Sequence, residues 1–174
     1  MRYRALRPEK RGIGDFNGDA PRFDDVPMLC PNYTGPEKNM KELTIEAEVE
    51  NLNRVIGFVD EQLEELDCPV KTQMQIDVAV EEIFVNIASY AYIPGKGFAT
   101  VYVELETDPK TVSITFVDRG VPYDPLKKQD PDISLPAEER AIGGLGIYMV
   151  KKSMDEISYE YRDGQNILCI RKRF

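Results

Sequence analysis

Three short segments hold side chains whose types and spacing can do chemistry. In Glu81-Glu82-Ile83-Phe84-Val85-Asn86 a carboxylate and an amide stand four residues apart, which on a helix puts Glu82 and Asn86 on one face. Beside an apolar stripe such a pair is costly unless it meets a ligand, a metal or its own partner. Val117-Asp118-Arg119-Gly120 ends an apolar run with an acid and a glycine. An Asp there can accept the exocyclic amino proton of a purine, and Gly120 lets backbone approach a ring closely. Gly143-Gly144-Leu145-Gly146 opens a helical pattern, and bare N–H groups at a helix start attract phosphate. The chain has no histidine, so Ser-His-Asp, Cys-His and His-ligated metal chemistry are excluded.

The elements that must position these segments are legible from periodicity. Lys41–Val49 alternates as a strand. Residues 50–67 place Leu52, Val55, Val59, Leu63 and Leu66 at helical spacing, and residues 70–92 place Ile76, Val80, Ile83, Phe84, Ile87 and Ala91 likewise. Residues 97–108 and 110–118 read as a hairpin around Asp108-Pro109. Residues 119–142 read as a loop, residues 143–154 as a glycine-led helix, and residues 155–163 and 165–174 as a hairpin around Asp163-Gly164. The order β-α-α-β-β-loop-α-β-β predicts an α+β two-layer sandwich, a mixed and mainly antiparallel sheet with helices on one face. Residues 1–39, punctuated by five prolines and four glycines, are expected to be a loosely structured extension or the product of an early start codon, with a docking arm as the alternative, and residues 40–174 the domain.

With the three segments in this order, the chain resembles the GHKL ATPases, whose Bergerat ATP-binding fold is this sandwich. The likeness covers about residues 40–174. Glu82–Asn86 resembles the N box, Asp118-Arg119-Gly120 the G1 box and Gly143–Gly146 the G2 box. DRGVPYDP and GGLGIYMVKKSMDEISY are most similar to the anti-sigma-factor serine/threonine kinase branch. The resemblance implies Mg²⁺ held against ATP by Asn86, Glu82 as the base toward a serine hydroxyl, and adenine on Asp118 over Gly120. It further implies phosphates cradled by Gly143, Gly144, Leu145 and Gly146, with Arg140 as the nearest basic residue and residues 124–142 as a lid. Ile142 and Tyr90 depart from the pattern, standing where a basic residue and a histidine are frequent. The implied partners are a sigma factor and a STAS-domain anti-anti-sigma protein. A nucleotide-gated binding switch without catalysis is the alternative.

Composition agrees with such a protein. The net charge is −9, and a surface of that sign disfavours direct nucleic-acid binding. Cys30, Cys68 and Cys169 show no metal or disulfide spacing, which with the lack of a long apolar run leads to a cytoplasmic expectation. A homodimer is expected through the exposed sheet face near strand 41–48.

Overall fold

The computed structural model describes residues 40–127, 130–131 and 145–174. Five strands, β1 (Met40–Glu46), β2 (Phe98–Thr107), β3 (Lys110–Asp118), β4 (Glu156–Arg162) and β5 (Gln165–Arg173), form one sheet in the order β1-β2-β3-β5-β4. Three helices, α1 (Leu52–Glu64), α2 (Val70–Asn86) and α3 (Leu145–Ser153), complete the predicted order. The α+β class is as expected. One detail is sharper than expected: among the described residues every neighbouring strand pair is antiparallel. The reason is that the last hairpin enters with β5, not β4, beside β3, and β5 runs opposite to it.

Alternation decides which face of each strand meets the helices. Ala99, Val101, Val103, Val112, Ile114, Phe116, Leu168 and Ile170 point to one side. There they bury Val55, Val59 and Leu63 of α1, Ile76, Val80, Ile83 and Phe84 of α2, and Val150 of α3. Each fully buried aliphatic or aromatic side chain contributes roughly 1.5–3 kcal/mol against exposure. The turn at Asp163-Gly164 has φ of 52° and 78°, the paired left-handed residues of a tight hairpin. The helix over 70–92 does not run through unchanged: after Asn86 it widens into a π-helical turn over Ile87–Ala91.

The opposite side of the sheet carries a smaller apolar cluster of its own. Tyr102, Val117 and Ile167 point away from the helices and form a second cluster with Met40 beside it. They are 1%, 0% and 4% exposed.

The α1–α2 seam carries an acidic pair. Gln73 Nε2 donates to Asp60 Oδ1 at 2.7 Å. Burial, then the Asp60 charge and a hydrogen bond with Asp60, push the Asp77 carboxyl up to about 6. A carboxyl raised in the folded state adds stability that is complete below about pH 4 and is lost as pH rises through about 6. Asp77→Asn is therefore expected to raise Tm at pH 7.5 by roughly 2–4 °C, on the order of 1 kcal/mol after solvent screening is allowed for. The gain should vanish near pH 4. Thermal unfolding of both proteins across that range checks this, and an increment independent of pH would refute it.

Candidate functional site

α2 ends where the sheet opens. A cavity of about 210 Å³ lies between the last turn of α2, the π-helical turn and the ends of β3 and β5. Ile83, Ile87 and Leu168 give it apolar walls, while Asn86, Asp118 and Asn166 supply the polar groups. A flat apolar ring with a polar edge suits such a lining.

Asp118 is 5% exposed at the end of β3. Its Oδ1 accepts from Gly120 N at 2.8 Å and from Asn166 Nδ2 at 2.9 Å. Those two bonds leave Oδ2 as the acceptor for a ligand. Burial raises the Asp118 carboxyl above its ordinary value, and the Asn166 and Gly120 donors pull it back in part. Gly120 packs on the π-helical turn: Val121 N donates to Ala91 O at 2.8 Å, and a Cβ at Gly120 would run into the Ala91 backbone. Only a glycine lets the strand end and the helix end approach this closely. Tyr92 fixes the same junction, donating to Phe98 O at 2.6 Å and accepting from Arg119 N at 2.8 Å.

Asn166 and Tyr159 belong to the site and were missed from sequence. Asn166 stands directly across the ladder from Asp118. Besides its bond to Asp118 it donates to Val121 O at 3.2 Å and accepts from Tyr159 Oη at 2.7 Å and Tyr123 N at 3.2 Å. The signal was present: Asn166 shares the inward phase of Leu168 and Ile170, where an amide needs partners. Burial pushes the Tyr92 and Tyr159 phenols up, so both stay neutral donors. Asn166→Ala is expected to cost about 1–3 kcal/mol of stability, because several buried groups lose their partner. It should also raise the Asp118 carboxyl further, since its largest opposing donor is gone. Urea unfolding reads the first effect and carboxyl titration by NMR the second; a stable variant with an unshifted Asp118 would contradict both.

Glu82 and Asn86 do share a face of α2. Asn86 Nδ2 donates to Glu82 O at 2.6 Å, which leaves its Oδ1 as the group able to coordinate a cation. Asn86 lines the cavity. One turn back, the Glu82 carboxylate occupies the space a Cβ at Gly146 would fill, so α3 starts against it. Leu145 is largely exposed at the same helix start. Lys151 of α3 holds the loop leaving the cavity, donating to Asp130 Oδ1 at 2.9 Å and Leu126 O at 3.4 Å. Arg140, Gly143 and Gly144, with most of the expected lid over 124–142, lie outside the described residues.

The arrangement is a cavity with a buried carboxylate, then an amide, then a carboxylate at a helix start. The histidine kinase-like ATPase domain family matches residues 45–172, and the chain belongs to that family. Among its relatives, the serine/threonine-protein kinase BtrW of Bordetella bronchiseptica is 28% identical over 100 residues, 58% of this chain and 70% of that protein. The serine-protein kinase RsbW of Bacillus cereus (strain ATCC 10987 / NRS 248) is 32% identical over 95 residues, 52% of this chain. The aligned stretch spans 58% of RsbW, little more than half its length. A solved structure of the RsbU and RsbW domains of Rv1364c from Mycobacterium tuberculosis shares the fold with a TM-score of 0.56 and 18% identity. It covers 77% of this chain and 32% of that one.

Proposed function

We propose that this protein is an ATP-dependent serine kinase and anti-sigma factor, acting on a STAS-domain anti-anti-sigma protein and holding a sigma factor. The single observation that carries the reading is one helix face. Asn86 lines the cavity capped by Asp118, and Glu82 abuts the start of α3 one turn away. The described residues suit ATP: Asp118 Oδ2 would accept from the adenine amino group, Gly120 lets the end of β3 close on the π-helical turn that walls the cavity, and the amides of Leu145 and Gly146, with Gly143 and Gly144 preceding them in sequence, would serve phosphate. Arg140, the nearest basic residue before Gly143 in sequence, would add positive charge for the phosphates. Among the described residues no cluster of three or more acidic, cysteine or histidine side chains could hold a metal, so Mg²⁺ would rest on Asn86 and the nucleotide's own oxygens. When bound, Mg·ATP supplies the transferable phosphoryl group and offsets its charge. Glu82 accepts the serine hydroxyl proton late in transfer.

In this reading residues 40–174 are the ATP-binding domain and residues 1–39 its extension. No described helix is long and apolar enough to cross a membrane, and a cytoplasmic place suits a sigma-factor partner. Homodimerisation through the exposed face of the sheet near β1 belongs to the same proposal. Incubating the protein with labelled Mg·ATP and a purified STAS-domain protein from the same organism tests the kinase. Label on a serine of the STAS protein is the expected result. Binding of the STAS protein without transfer would favour a nucleotide-gated switch, and steady hydrolysis with no partner a plain ATPase.

A further inference from the structure

One amide orients two acceptors in the cavity. Asn166 of β5 donates from Nδ2 to Asp118 Oδ1 at 2.9 Å and accepts at Oδ1 from Tyr159 Oη at 2.7 Å. This orientation is locked. Tyr123 N also donates to the Asn166 carbonyl at 3.2 Å, and Val121 O accepts from its nitrogen at 3.2 Å. A flipped amide would set oxygen against carboxylate and nitrogen against N–H. Tyr159 stands opposite Leu168 on β4, packs on the helix side of the sheet, and lines the cavity together with Asp118 and Asn166.

The consequence for Tyr159 is chemical. Burial raises its phenol, and a Tyr123 N–H beside the oxygen pulls it back in part, so the group keeps its proton near neutral pH. That proton is committed to Asn166. A hydroxyl whose proton is committed can only accept. The Tyr123 N–H takes one lone pair of Oη, and the other remains for the cavity. Asp118 is in a parallel state: two donors hold Oδ1, and Oδ2 remains.

We propose that Tyr159 is a specificity-determining residue, its Oη accepting the second proton of a purine 6-amino group whose first proton goes to Asp118 Oδ2. The proposal rests on the nucleotide reading of the cavity and deepens it. A 6-amino group offers two protons and suits two acceptors. A 6-oxo purine would bring an acceptor oxygen against both. Tyr159 adapts to that oxygen only by withdrawing its proton from Asn166, and the buried carbonyl then loses a donor. An N6-alkylated adenine keeps one proton and places a methyl group where the other acceptor stands. Tyr159 thereby extends the selection made by Asp118 from the presence of an amino group to its being unsubstituted.

The test is a cycle of two proteins and two ligands, with the full chain throughout. Titration calorimetry measures Mg·ADP and Mg·N6-methyl-ADP against the wild type and Tyr159→Phe, with thermal unfolding as the check that the variant is folded. Wild type is expected to bind N6-methyl-ADP about tenfold more weakly than ADP. In Tyr159→Phe, ADP should weaken by about fivefold while N6-methyl-ADP stays within about twofold of its wild-type affinity, so the discrimination collapses. If Tyr159 only supported Asn166, both nucleotides would weaken equally and the ratio would persist, which overturns the proposal. Equal affinity of the wild type for the two nucleotides overturns it without recourse to the variant. Absence of ADP binding by the wild type would instead remove the nucleotide reading itself, a failure distinct from the other two.

Discussion

Asp118→Asn is expected to weaken ATP and ADP binding by at least ten- to a hundredfold while leaving the fold intact. Loss of a charged acceptor accounts for about 1.5–3 kcal/mol, and each 1.4 kcal/mol is tenfold. The local hydrogen bonding makes the replacement worse than a simple loss of charge. Oδ1 faces two donors, Gly120 N and Asn166 Nδ2, so an asparagine must keep its carbonyl oxygen there. Its amide nitrogen then takes the place of Oδ2 and points a donor at the donating edge of adenine. The wild-type protein should also lose affinity on acidification earlier than an ordinary aspartate would dictate. Burial raises the Asp118 carboxyl, and binding needs it ionised, so affinity falls as pH drops through that raised value. Titration calorimetry of both proteins at several pH values measures this. Equal affinities at pH 7.5 would remove Asp118 from the base-binding role.

Glu82→Gln is expected to slow phosphoryl transfer to a STAS-domain serine by about 10²–10⁴-fold, the usual contribution of a positioned proton acceptor. Nucleotide affinity should change by less than about threefold, because Glu82 is not among the cavity's lining residues. Glutamine keeps the volume beside Gly146, so α3 should hold its place against α2. That separates chemistry from architecture. A variant that transfers phosphate within tenfold of wild type would assign the proton to another group. A variant that loses nucleotide binding would make Glu82 part of the binding surface instead.

Periodicity and turn chemistry determined the elements of this protein. The hairpin read around Asp108-Pro109 placed β3 at the residues observed, Asp163-Gly164 fixed the β4–β5 hairpin, and helical spacing selected the buried residues of α1 and α2. The acid–amide pair on α2 and the Asp118–Gly120 turn were equally readable, because residues four apart on a helix or two apart in a turn are neighbours whatever the rest of the chain does. Tertiary structure decided what distance in sequence hides. Asn166 meets Asp118 only because β5 pairs with β3 across 48 residues, and Gly120 meets Ala91 only because the π-helical turn ends against the strand. The burial of Tyr102, Val117 and Ile167 was hidden for the same reason. A strand's alternation says that two faces differ, but which one is covered, and by what, depends on where the rest of the chain is laid.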